Sequence, residues 1–275
     1  MSMISKYRNF FHLLREYVKA GGKITRLEFS QIHYGSLLSS ERILITGGSS
    51  GIGLAMAKKF VSEGANVIIS GRDESKLKQA MEEISSNHAG YLVWDVSDLD
   101  VLKERMSETI SRLGGLTCVV NNAAFLDHKR TDLAFYDKTM DTNLRAVYFI
   151  CKETVEVFKR LNKDSGGKIL NVSSINGSMS STHPYYISKW GLNGLTRGFA
   201  KENAGNNIIV NAIAPGYCAS SINYRDVEKN AYDERSRIKR IITPEDIAEL
   251  ATFLLSKAAN GIVGQVITCD GGATL

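Results

Sequence analysis

The sequence predicts a doubly wound α/β fold: one domain on a parallel seven-stranded sheet with helices on both faces. Three observations carry that prediction. Short β-rich runs alternate with helical patterns from residue 42 onward. Most of those runs are continuously apolar, as strands covered on both faces are. Strands alternating with helices imply right-handed crossover connections. In order, the strands are RILIT (42–46), NVIIS (66–70), YLVW (91–94), LTCVV (116–120), KILNVS (168–173), IIVNAI (208–213) and QVIT (265–268). Between them GLAMAKKFVSEG, ESKLKQAMEEISS and DVLKERMSETISRLG place apolar residues three and four apart, the helical period. No repeat, low-complexity tract or linker interrupts residues 42–275.

Residues 1–41 form a separate helical N-terminal extension in this reading. Ile4, Tyr7, Phe11, Leu14 and Val18 make an apolar stripe, widened by Phe10, Leu13 and Tyr17 and closed by Gly21-Gly22. The extension is basic: Lys6, Arg8, Arg15, Lys19, Lys23, Arg26 and the adjoining Arg42 stand against Glu16, Glu28 and Glu41. Docking on the body or a neighbouring subunit is the favoured role; membrane-surface contact and an organelle presequence are the alternatives. Beyond it the chain is nearly neutral, with no basic face interleaved with aromatics, which argues against a nucleic-acid partner. The 275 residues are 43% hydrophobic and 23% charged, enough for a sizeable core, and no apolar run approaches a membrane span. Cys118, Cys151, Cys218 and Cys269 lack metal-ligand or redox spacing, so free thiols in a reducing, cytoplasmic compartment are expected. No metal cluster is expected.

Directly after the first strand comes TGGSSGIG, Thr46 to Gly53, opening a helix. A dinucleotide pyrophosphate needs backbone N–H groups aimed at it and no side chain in the way. Glycines at a strand-to-helix turn supply both. The context of strand, loop, helix and a following βαβ unit makes this a nucleotide loop rather than a plain turn. NAD-selecting folds of the Rossmann type place an acidic residue after the second strand. Here Gly71 and Arg72 follow VIIS. A guanidinium there suits a 2′-phosphate, or else simply caps a strand end. NADP(H) is therefore favoured, with NAD(H) the alternative. Asp73 reads as a helix cap.

The stretch PYYISK sets Tyr185 four residues before Lys189 and Tyr186 three before it. On a helix both tyrosines neighbour the lysine, so spacing leaves both open as proton donors. A nearby ammonium would stabilise a phenolate and lower the tyrosine pKa from about 10. Asn143, in MDTNLRAVYF, is an unfavourable mid-helix residue with either a positional purpose or a simple solvated role.

Taken together, TGGSSGIG in the TGxxxGxG form and YYISK (185–189) in the YxxxK form, following Ser173-Ser174, resemble the classical short-chain dehydrogenase/reductases, and most of all 3-oxoacyl-acyl-carrier-protein reductases. The resemblance spans about residues 42–275. It implies an oxidoreductase moving a hydride between a nicotinamide and a ketone or secondary alcohol; a catalytically silent NADP(H)-binding sensor or scaffold is the alternative. It selects Tyr185 as general acid/base and gives Lys189 the nicotinamide ribose and the lowering of the tyrosine pKa. Ser174 is implied to bind the substrate carbonyl, with Ser173 and Ser178 as substitutes. Asn143 is implied to orient a water in the proton relay. The implied cofactor contacts are Gly47, Ser49, Ser50, Gly51, Ile52 and Gly53 in the loop. Further along they are Arg72, Asp95 and Val96, then Asn122 and Ala123, then Pro215, Gly216 and Ser220, besides Tyr185 and Lys189. A homo-oligomer, dimer or tetramer, is also implied. Two departures stand out: Ala124 replaces a usual glycine, so a required positive φ there would be costly, and the Ser174–Tyr185 spacing is about two residues short. The charged segment from Tyr217 to Ile241 lies where the family carries its substrate lid.

Overall fold

The computed structural model describes residues 35–127, 130, 132–218 and 230–275, and Val18 besides. The N-terminal stripe apart from Val18, and residues 219–229 of the expected lid, Ser220 and Tyr224 included, lie outside the described residues. Seven strands form one sheet: β1 (Arg42–Thr46), β2 (Asn66–Gly71), β3 (Ala89–Val93), β4 (Cys118–Asn121), β5 (Gly167–Val172), β6 (Ile208–Pro215) and β7 (Val266–Cys269). Their order is β3-β2-β1-β4-β5-β6-β7, with every pairing parallel. All seven strands of the sequence reading are present, with ends displaced by a few residues.

The helices are α1 (Gly51–Ser62), α2 (Glu74–Ile84), α3 (Leu102–Leu113), α4 (Leu133–Met140), α5 (Ala146–Leu161), α6 (Pro184–Asn203) and α7 (Pro244–Leu255). Side chains of β1 alternate between the two faces. Ile43 and Ile45 join Met56, Phe60, Leu77, Ile247 and Leu254 on one side. Leu44 joins Val119, Ile150, Phe158, Ile169 and Leu192 on the other. β1 is thus buried on both faces, which explains its unbroken apolar run.

Leu38, placed with the extension by sequence pattern, is fully buried in the first of these cores, and its N–H bonds to the Glu63 carbonyl at the end of α1. The body therefore reaches back before residue 42. The sequence also gave no sign that α4 and α5 are joined by a π-helical turn, Asp141–Arg145, in which the Ala146 N–H reaches the Asp141 carbonyl five residues back. That turn carries Asn143. Between β1 and β4 the strand order reverses direction, and in doubly wound sheets such a switch point opens a crevice at the carboxyl ends of the strands.

Candidate active site

A cleft of about 430 Å³ lies at that point, walled by the loops that follow β1 to β6. One half belongs to the glycine loop. Gly47 has φ +66°, and a Cβ there would stand 2.8 Å from the Ala123 Cα; a Cβ on Gly53 would stand 2.3 Å from the Gly47 carbonyl oxygen. The loop is tight because its backbone folds on itself, and only glycine permits that. Ser50, the N-cap of α1, makes no side-chain cap hydrogen bond, and the first turn carries no acidic residue. The leading amides of α1 are thus left to an anion rather than to the chain's own side chains. These features fit a dinucleotide's pyrophosphate.

Gly47, Ser49, Ser50, Gly51 and Ile52 line the cleft, as do Arg72, Asp95, Val96, Asn122, Ala123, Pro215 and Gly216. Gly53 is not a lining residue; its part is the close packing under Gly47. Asn122 braces the loop, its Nδ2 donating to the Thr46 and Gly47 carbonyls at 3.0 and 2.8 Å. Arg72 is exposed and sits 3.7 Å from Asp95. Burial pushes the Asp95 carboxyl up, but bonds from the Ser97 hydroxyl and N–H, with the Arg72 charge, bring it below its usual value. Asp73 caps α2, accepting from the Ser75 and Lys76 N–H groups at 3.0 and 3.2 Å. Ala124 is absent from the residues with positive φ, so its methyl fits without backbone strain and the feared penalty does not arise.

The other half gathers Ser174, Tyr185 and Lys189. The Ser174 and Tyr185 side chains line the cleft together. Burial pushes Tyr185 up to about 12, the nearby Ser174 side chain offsets part of that, and the neighbouring Tyr186 adds to it. The Lys189 ammonium is buried, donates to the Val172 carbonyl at 2.7 Å, and lies 5.6 Å from the centre of the Tyr185 ring. Burial brings its pKa down to about 8. Lys189 is not among the groups that shift Tyr185 here. Here desolvation governs both groups and pushes each toward its neutral form.

Asn143 sits behind the cleft, fully buried. Its Oδ1 accepts from the Phe125 N–H at 2.7 Å, and its Nδ2 donates to the Phe125 carbonyl at 2.9 Å and to Ser188 at 3.3 Å. The side chain is thus occupied in fixing the loop after β4. Asp270 is structural, accepting from Gly272, Thr274 and the Thr274 hydroxyl. His183 caps α6 through Nδ1, which accepts from the Tyr185 N–H at 3.2 Å. Phe125, Leu126, Thr142 and Cys218 also line the cleft, and sequence reasoning missed them. Their position beside motif residues was the available signal, since their side-chain types carry none.

A parallel sheet with a glycine loop at its switch point and a Ser–Tyr–Lys cluster facing it defines a class. The chain belongs to the classical short-chain dehydrogenase/reductases and is an NAD(P)-dependent oxidoreductase. Residues 47–274 match the family model described as enoyl-(acyl carrier protein) reductase. The 3-oxoacyl-(acyl-carrier-protein) reductase of Chlamydia muridarum is 34% identical over 248 residues, covering 86% of this chain and 98% of that protein. An A-factor type gamma-butyrolactone 1'-reductase of Streptomyces virginiae is 34% identical over 252 residues, covering 87% and 97%. The crystal structure of a 3-ketoacyl-(acyl-carrier-protein) reductase from Brucella melitensis complexed with NADH superposes with a TM-score of 0.79 at 27% identity, covering 86% of this chain and all of that one.

Proposed function

We propose that the chain reduces a ketone to a secondary alcohol with NADPH, and that Tyr185 donates the proton. The observation that carries this is that Ser174, Tyr185 and Lys189 line the same cleft as the glycine loop. Two adjacent hydroxyls suit a carbonyl oxygen as it gains negative charge. A tyrosine whose pKa lies well above neutrality keeps its proton until an alkoxide forms, which suits an acid in the reductive direction. The nicotinamide supplies the hydride when bound. Lys189 would hold the cofactor's ribose and stand behind Tyr185 in proton resupply. With the Asn143 side chain engaged by Phe125, its contribution to a relay water would come from the backbone.

NADPH is favoured over NADH because Gly71 leaves the end of β2 without a carboxylate and Arg72 opens onto the cleft. Both relatives named above are reductases, and one is a 3-oxoacyl-(acyl-carrier-protein) reductase, so that substrate class comes first. A second copy of the chain is the expected partner: Tyr148, Phe149, Ile187 and Trp190 are exposed on α5 and α6. Residues 42–275, with the Leu38 turn packed on them, would be the catalytic domain, and the chain before that turn its accessory. Buried free thiols support a cytoplasmic setting.

The test is NADPH oxidation against acetoacetyl-coenzyme A, a simple 3-oxo ester, a cyclic ketone and a diketone, with the product identified. Arg72→Ser is expected to weaken NADPH binding about tenfold while leaving NADH binding within twofold. An equal effect on both cofactors would remove Arg72 from 2′-phosphate recognition.

A further inference from the structure

Ten residues, 175–184, join Ser174 to Tyr185, and α6 grips that connection at three points. At its start a 3-10 turn, Ile175–Ser178, hangs from Ser174. The Ser174 Oγ accepts from the Asn176 N–H at 3.2 Å, and the Gly177 N–H reaches the Ser174 carbonyl at 2.9 Å. Asn193, buried about two helical turns beyond Tyr185, closes this turn from α6. Its Oδ1 accepts from the Ser173 hydroxyl at 2.6 Å, and its Nδ2 donates to the Gly177 carbonyl at 3.0 Å. The approach is so close that a Cβ on Gly177 would stand 2.8 Å from both the Asn193 Nδ2 and the Lys189 carbonyl oxygen. In the middle of the connection the Trp190 indole N–H donates to the Met179 carbonyl at 2.8 Å. At its end His183 caps the helix through the Tyr185 N–H, and its ring meets Phe135 and Tyr186 edge-on at 5.4 and 5.9 Å.

Neither Asn193 nor Trp190 lines the cleft. Each nonetheless ties the segment leading from Ser174 to the helix that carries Tyr185 and Lys189. A carbonyl oxygen must reach both hydroxyls at once, and a displacement of about 1 Å in such a pair lowers rate about a hundredfold. We propose that Asn193 and Trp190 are positioning residues, clamping the connecting loop onto α6 so that Ser174 stays beside Tyr185. The proposal rests on the reading of Ser174 and Tyr185 as the carbonyl-binding and proton-donating groups.

Trp190→Phe keeps the ring and removes only the N–H; the residue is half exposed, so folding is not at stake. Asn193→Leu keeps the size and removes both bonds. Each variant is measured in the wild type and in a Ser174→Ala background, with the panel ketone turned over fastest. Expected in the wild type are losses in kcat of about 5-fold for Trp190→Phe and about 30-fold for Asn193→Leu, within the range for misplaced reacting groups. NADPH affinity stays within twofold, and amide exchange across residues 175–183 accelerates. In the Ser174→Ala background both losses shrink below about twofold, because the group being positioned is gone. Equal losses in both backgrounds, or an unchanged kcat in both variants, would overturn the proposal. Ser174→Ala turning over at the wild-type rate is a different failure: it overturns the reading of Ser174 itself and takes the clamp down with it.

Discussion

Lys59 on α1 and Lys189 on α6 are both buried to within 2% of full enclosure, yet their surroundings are opposite. Lys59 lies 3.0 Å from Glu63 and 3.0 Å from Glu249, so it ties α1 to α7. Burial acts to lower its pKa, but the two carboxylates outweigh that and raise it. Lys189 bonds to a backbone carbonyl, and burial alone brings it down to about 8. A buried cation without a counter-charge destabilises the fold. Such a group persists where a site uses it, and perturbed titration is a mark of such sites. The comparison separates a lysine that organises packing from one kept for chemistry, although sequence context shows both only as lysines on helices.

The largest expected effect comes from Lys189→Met, which should lower kcat about a thousandfold if the lysine serves the proton path. It should also stabilise the protein. The folded-state pKa of Lys189 lies below its unfolded value of 10.5, so between about pH 8 and 10.5 the unfolded chain holds more protons and stability rises with pH. Below pH 8 the full penalty applies, at most about 3 kcal/mol for such a shift. Urea unfolding of the variant at pH 7 should therefore show a gain of about 1–3 kcal/mol and lose the rise above pH 8. A variant less stable than wild type would break the comparison.

Lys59→Met should do the reverse. It strips the buried Glu63 of its counter-charge and lowers unfolding free energy by about 3 kcal/mol, while kcat stays within about twofold. Because the Lys59 pKa is raised, its contribution is present below pH 10.5 and fades only as pH climbs through the higher folded value. The two lysines thus impose opposite pH slopes. Stability-versus-pH curves for the two variants sharpen the contrast, and parallel curves would erase it.

Much of this architecture was legible because it rests on local patterns. The seven strands announce themselves through unbroken apolar runs, and the glycine loop through its place between strand and helix. Asp73 as a cap followed from its position before ESKLKQ. What stayed hidden depends on contacts remote in sequence. Trp190 reaches Met179 only because the loop folds back over α6, and Asn193 meets Ser173 only because α6 packs beside β5. The π-helical turn carries Asn143, whose side chain bonds the loop after β4 at Phe125, and helical periodicity cannot register either. Leu38 looked like part of the extension until α1 was there to cover it. Spacing to Lys189 says nothing about desolvation or about the Val172 carbonyl that takes the ammonium's hydrogen bond.

The central claim is that Tyr185, and not its neighbour Tyr186, carries the proton. Its most direct test is NADPH oxidation with the best panel ketone by the wild type, Tyr185→Phe and Tyr186→Phe at matched cofactor saturation. Loss of a positioned acid should slow Tyr185→Phe by about 100- to 10,000-fold, with NADPH binding intact, while Tyr186→Phe stays within about threefold. Turnover that survives Tyr185→Phe, or falls as far in Tyr186→Phe, would contradict the assignment.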